Sequence, residues 1–109
     1  MRFGPWFNYP VCHIVWPTCL EQVEFGRTFD QELQDVKWPT SLENVTFGHV
    51  FDQSIEDVVW PDSLKCLKFG YRFNQPIDRV VWPPSMQTLM FGELFNKPID
   101  DVVWAASLR

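Results

Sequence analysis

The chain has 109 residues, which is enough for one modest domain. Ten Phe, six Trp and two Tyr bring the aromatic share to 17%, which excludes a disordered tail. The net charge of −5 sets the surface against phosphate backbones and anionic lipid, so neither nucleic acid nor membrane is an expected partner.

The first predicted element is a partial coil, 3–15, and it belongs to a repeat. Trp16, Trp38, Trp60, Trp82 and Trp104 recur every 22 residues without slippage. Phe3, Phe25, Phe47, Phe69 and Phe91 keep the same step, and each is followed by glycine. Phe7, Phe29, Phe51, Phe73 and Phe95 form a further column, and Leu20, Leu42, Leu64, Met86 and Leu108 another. Full coils follow at 16–37, 38–59, 60–81 and 82–103, and a partial coil at 104–109. The whole chain, 1–109, reads as a single repeat array, expected to be part of a longer one.

A unit of 22 residues cannot enclose a core alone and must stack on its neighbours. Proline at the second position of every full coil (Pro17, Pro39, Pro61, Pro83) and the recurring glycine argue against helices. The pattern within a coil alternates instead. In Cys66-Leu67-Lys68-Phe69 and Asn44-Val45-Thr46-Phe47, apolar residues take every second place, as in a half-buried strand. A second alternating stretch, such as Asp57-Val58-Val59-Trp60, crosses from each coil into the next. There Val58 and Trp60 are assigned inward. The stripe Val15, Lys37, Val59, Val81 and Val103 is assigned outward.

The predicted fold is therefore all-β: a right-handed solenoid with two short parallel sheets and little or no helix. The inward set of one coil is Trp60, Leu64, Leu67, Phe69, Phe73, Ile77 and Val80. Each buried ring contributes roughly 4–6 kcal/mol gross, before entropy. No polar cap is evident at either end, so either more coils lie beyond this stretch or the ends associate end to end.

Several columns invite a chemical reading. Asn8, Asp30, Asp52, Asn74 and Asn96 read as a ladder of turns in which a short side chain bonds nearby backbone. A metal between Asp30 and Asp52 is the rarer alternative, and two bare carboxylates ~5 Å apart would repel by roughly 3 kcal/mol at an effective ε of 20. Ser41, Ser63, Ser85 and Ser107 recur in every coil, whereas a nucleophile is singular and paired with a base. They read as packing residues, and Cys19 as a buried thiol of similar size in the same column. Cys12, His13, Cys19 and His49 are zinc-type ligands without zinc spacing. No enzyme, metal or cofactor is expected.

Three columns vary from coil to coil beside the first strand: Gln22, Asn44, Cys66, Thr88; Glu24, Thr46, Lys68, Met90; and Arg27, His49, Tyr71, Glu93. Lys65, Lys68, Tyr71 and Arg72 make one coil basic and aromatic. That surface is either drift on a solvated face or a site for an acidic protein partner, with Glu24, Thr46 and Met90 beside it. The valine stripe Val59, Val81 and Val103 is either a second contact surface or plain strand propensity. Three cysteines cannot all pair, no apolar run approaches a membrane span, and the first residues lack a signal peptide. An intracellular, cytoplasmic location is expected.

The spacing L-x-x-L-x-F-G, from Leu64 to Gly70, looks like a leucine-rich repeat. Phe73-Asn74-Gln75-Pro76-Ile77 and Phe95-Asn96-Lys97-Pro98-Ile99 resemble the F-N-x-P-I signature of FNIP repeats, short relatives of that class. Phe7-Asn8-Tyr9-Pro10-Val11 resembles it with valine last. The middle coils depart from it: Phe29-Asp30-Gln31-Glu32-Leu33 and Phe51-Asp52-Gln53-Ser54-Ile55 lack its Asn and Pro. The resemblance implies a curved solenoid used for protein–protein contact. The competing readings are a self-associating structural rod and a recognition segment of a larger ubiquitin-ligase adaptor or kinase. Some family members append an F-box or a kinase domain. Neither motif occurs in these residues, so those activities do not carry over.

Overall fold

The computed structural model describes residues 2–12, 14–34, 36–77 and 79–96. Four three-residue strands occur among them: β1 (Gln22–Glu24), β2 (Asn44–Thr46), β3 (Cys66–Lys68) and β4 (Thr88–Met90). They form one parallel sheet in the order β1-β2-β3-β4. The register is the repeat itself: Val23 pairs with Val45, Val45 with Leu67, and Leu67 with Leu89. Arg2 continues the sheet as a single bridge to Glu24.

Alternation in the strands follows from this register. Val23, Val45 and Leu67 are buried, while the residues on either side of each are at least partly exposed. Beyond each strand the ladder runs one residue further. The Phe25, Phe47 and Phe69 N–H groups donate to Thr46, Lys68 and Met90 carbonyls, each at 2.9 Å.

Each coil closes through tight turns in which an N–H reaches the carbonyl three residues back. One follows the glycine, as in Phe73 to Gly70; one joins Val80 to Ile77; one joins Met86 to Pro83. Proline is suited to that last corner because it starts the turn and has no N–H to leave unpaired.

Like rings lie on like rings. Phe47 sits 5.3 Å from Phe25 and 5.4 Å from Phe69, centroid to centroid, and nearly parallel to both. Phe51 lies 6.0 Å from Phe29 and 6.1 Å from Phe73. Trp38 lies 5.5 Å from Trp16 and 5.6 Å from Trp60. The Phe columns also touch each other within a coil, at 4.2 Å for Phe47 and Phe51. Phe25 meets Trp38 edge to face at 6.4 Å, which ties the sheet side to the opposite side. Every residue of the predicted inward set from Trp60 to Val80 is buried. The indole N–H groups of Trp16, Trp38 and Trp60 are buried without an acceptor among the described residues, so those stacks rest on ring area alone.

The second predicted sheet is absent among the described residues. Val15, Val59 and Val81 do point outward, with 94%, 81% and 79% of their surface exposed. Val103 lies outside the described residues. What fails is the ladder. The Val36, Val58 and Val80 N–H groups are used within their own coil, donating to Leu33, Ile55 and Ile77 at 3.2 Å. Immediately after Trp16, Trp38, Trp60 and Trp82 stands a proline with no N–H to give. This side is held by ring stacking and apolar burial.

Glycine follows the strand because the coils approach closest there. A Cβ on Gly48 would overlap the Gly26 carbonyl oxygen and lie 2.6 Å from its carbon. Both partners are backbone, so no rotamer change relieves the contact. Gly26, Gly70 and Gly92 meet the same obstacle from the coil before them. Gly48→Ala is therefore expected to cost about 3 kcal/mol or more of stability. Thermal unfolding followed by circular dichroism checks this, and an unchanged midpoint would contradict the close approach.

Candidate functional site

The outward face of the sheet is built by the residues flanking Val23, Val45, Leu67 and Leu89. Strand register sets Thr46 beside Lys68, and Lys68 beside Met90. Thr46 is half-buried, Lys68 is exposed and Met90 is 51% exposed. Just past the strands, His49 and Tyr71 stack face to face, 4.9 Å apart and 10° from parallel. Tyr71 is exposed, three residues beyond Lys68 in the same coil. Among the described residues this makes the middle of the sheet cationic and aromatic, on a chain of net charge −5.

The other predicted residues are distributed less simply. Glu24 joins the same row, but its carboxylate accepts from Arg2 Nε at 2.8 Å, so it is committed within the chain. Lys65 Nζ lies 3.8 Å from Glu43 Oε1 at an exposed position, a pair of little energetic weight. Arg72 is exposed at the turn, where its N–H donates to the His49 carbonyl at 3.0 Å. The register thus sets Thr46, Lys68 and Met90 side by side, and just past the strands His49 stacks on Tyr71. His49 and Tyr71 stand 22 residues apart in one column, and two rings so placed are the signal for the stack.

Along the valine stripe, shallow grooves run between successive coils. One is lined by Trp38, Thr40, Val59 and Trp60, and the next by Val59, Trp60, Val81 and Pro83. Lys37 breaks the apolar run.

The Asx column bonds differently from the expected local turn. Asp52 N–H donates to Asp30 Oδ1 at 2.9 Å, and Asn74 N–H donates to Asp52 Oδ1 at 2.9 Å. Each side chain thus accepts from the coil that follows, 22 residues on. Gln53 and Gln75 add Nε2 donors to the same oxygens at 3.1 and 3.0 Å. The two carboxylates are each held by a pair of donors. Among the described residues no three His, Cys, Asp or Glu side chains are grouped to hold a metal ion. His13 lies outside the described residues.

The serines also reach between coils. Ser41 Oγ donates to the Leu20 carbonyl at 2.6 Å, Ser63 to Leu42 at 2.5 Å and Ser85 to Leu64 at 2.9 Å. They are staples, and their protons are spent. Cys19, expected to be a buried thiol in this column, is exposed.

Residues 51–94 match the FNIP repeat. Over that segment the chain is similar to the FNIP repeat family. Among solved structures, CroV588, described as a novel circular LRR protein, is similar at a TM-score of 0.63 and 36% identity. The likeness covers 94% of this chain and 18% of that chain. No curated protein matches. The chain is thus all-β among its described residues and of leucine-rich-repeat type, and no helix of those residues is long and apolar enough to cross a membrane.

The Asx ladder separates charge from hydrogen bonding. Asp52→Asn keeps the acceptor and removes a charge facing Asp30, so a higher melting temperature at pH 7 is expected. Asp52→Ala strands the Asn74 N–H and is expected to cost about 1.5–3 kcal/mol. Parallel thermal melts of both variants check the two signs.

Proposed function

We propose that the FNIP array is a non-enzymatic protein-interaction module acting inside the cell, in the cytoplasm. Its contact surface is the outward face of the sheet. The observation that carries this reading is Lys68 set beside Met90 by strand register, with the His49–Tyr71 stack just past the same strands. A cation next to a flexible thioether, with an exposed ring in the same coil, suits an acidic peptide that also carries an aromatic or aliphatic anchor. Lys65 and Arg72, both exposed, extend the positive field on either side. Thr46 supplies a neutral hydroxyl at the centre. Free cysteines at Cys12, Cys19 and Cys66 support a reducing compartment.

The valine grooves are the second surface, and the Trp and Pro beneath them make it apolar. The sheet face is favoured because it combines charge, aromatic area and hydrogen-bonding groups in one patch. Recognition within a larger ubiquitin-ligase adaptor or kinase would use the same face.

Fluorescence anisotropy with a labelled peptide alternating Glu and Leu tests the reading, with a Lys–Leu peptide of equal length as control. The Glu peptide is expected to bind, and to weaken as salt rises. Replacing Lys68 with Glu and Tyr71 with Ala together is expected to reduce affinity about tenfold or more, or about 1.4 kcal/mol. Binding that survives both changes would remove the sheet face as the site.

A further inference from the structure

On the tryptophan side the coils are spaced by rings and not by a ladder. Trp38 and Trp60 stack at 5.6 Å. Among the described residues no backbone–backbone hydrogen bond joins the stretch 57–60 to the stretch 79–82. A groove of about 380 Å³ opens between these two coils. Its apolar lining includes Val59, Trp60, Val81 and Pro83. Val59 and Val81 are 81% and 79% exposed, so two branched side chains stand in water along one groove. An apolar surface of this kind with a polar rim marks a contact site.

The rim fixes the sign of what fits. Glu56, Asp57 and Asp62 line the same groove, and among the described residues no Lys or Arg does. This placement follows from the chain. Asp57 shares the outward parity of Val59, two residues on, and Asp62 stands just past the proline corner. Each end of the exposed valine stretch thus carries a carboxylate. Asp57 and Asp62 are exposed, and among the described residues neither is in an ion pair. Glu56 Oε2 accepts the Arg79 N–H at 3.1 Å, which holds the carboxylate in place and leaves its charge. The Arg79 side chain is exposed and Arg79 does not line the groove. Lys37 lines the preceding groove instead, which confines the acidic rim to this one.

We infer that this groove binds a short extended segment of another protein in which Lys or Arg alternates with Val or Leu. Successive side chains of an extended chain point to opposite sides, so alternate residues seat apolar groups against Val59 and Val81. The intervening cations have stems long enough to bend back to Asp57 and Asp62. A second copy laid face to face would set its own Asp57 and Asp62 against these, on a chain already at −5, so charge selects a basic partner. The groove is separate from the sheet face, and the inference goes beyond that reading without resting on it.

Fluorescence anisotropy with the labelled Lys–Leu peptide tests it, beside a Lys–Ser peptide of the same length and charge. The Lys–Leu peptide is expected to bind, and the Lys–Ser peptide to bind about tenfold more weakly. Asp57→Asn with Asp62→Asn is expected to weaken Lys–Leu binding about fivefold at low salt, and Val59→Ser with Val81→Ser about tenfold. All four side chains are exposed, so the melting temperatures are expected to stay at the wild-type value. The chain carrying Lys68→Glu and Tyr71→Ala is expected to hold the Lys–Leu peptide as wild type does, so either surface can fail without the other. Equal binding of the two basic peptides would reduce the effect to general attraction between unlike charges and overturn the inference. So would undiminished binding by either groove variant. A wild-type mass that doubles with concentration, and a Val59→Ser, Val81→Ser chain that stays monomeric, would overturn it by assigning the groove to a second copy.

Discussion

The contact of one coil's backbone with the next is the constraint on which the rest depends. At the glycine column two peptide planes approach so closely that no side chain fits between them. That approach permits the adjoining Phe rings to stack at 5.3–5.5 Å and the short strands to share one register. Three-residue strands are at the short end of the usual range and would not hold a sheet alone. They hold here because every hydrogen bond of the ladder is repeated by a ring stack, an Asx oxygen and a Ser hydroxyl in the same pair of coils.

These polar ladders differ from the apolar ones in what they tolerate. A Phe column accepts only rings of similar area, since a smaller side chain leaves a void against two neighbours at once. The Asx column accepts either Asn or Asp, because only one carboxyl-type oxygen is used, and both occur. The columns on the outer sheet face make no inter-coil demand of this kind, so Glu24, Thr46, Lys68 and Met90 can all occupy the same place. Chemical individuality is confined to the side chains that the stack does not need, and Lys68 and Tyr71 sit among them.

Much of this fold is legible from residue spacing. A step of 22 assigns Phe47 its neighbours, and alternation sends Val45 and Leu67 inward while Lys68 points out. Proline after the tryptophan that opens each full coil speaks against helix and also, less visibly, against a ladder. The expected second sheet fails at this point. Apolar parity places Val58 inside and Val59 outside correctly, but it carries no information on where the Val58 N–H goes. That donor is taken by Ile55 in its own turn. The Asx ladder shows the same limit: residue type announces an oxygen near a turn, and only the packed coils show that it serves the turn above. Cys19 shows another. Its column is half-buried at Ser41, Ser63 and Ser85, whose hydroxyls reach backbone carbonyls, while the Cys19 thiol is exposed. On the candidate face, Lys68, Tyr71 and Met90 could be placed from their columns, whereas the commitment of Glu24 to Arg2 required knowing that Arg2 continues the sheet.

The packed coils separate local need from inherited need. Residues inside a coil, such as Phe7 against Phe3, are justified by contacts within that coil. Residues such as Gly26 and Ser41 are justified by the coil before, through the Gly4 backbone and the Leu20 carbonyl. Within a repeat, both kinds are copied together, and sequence alone does not separate them.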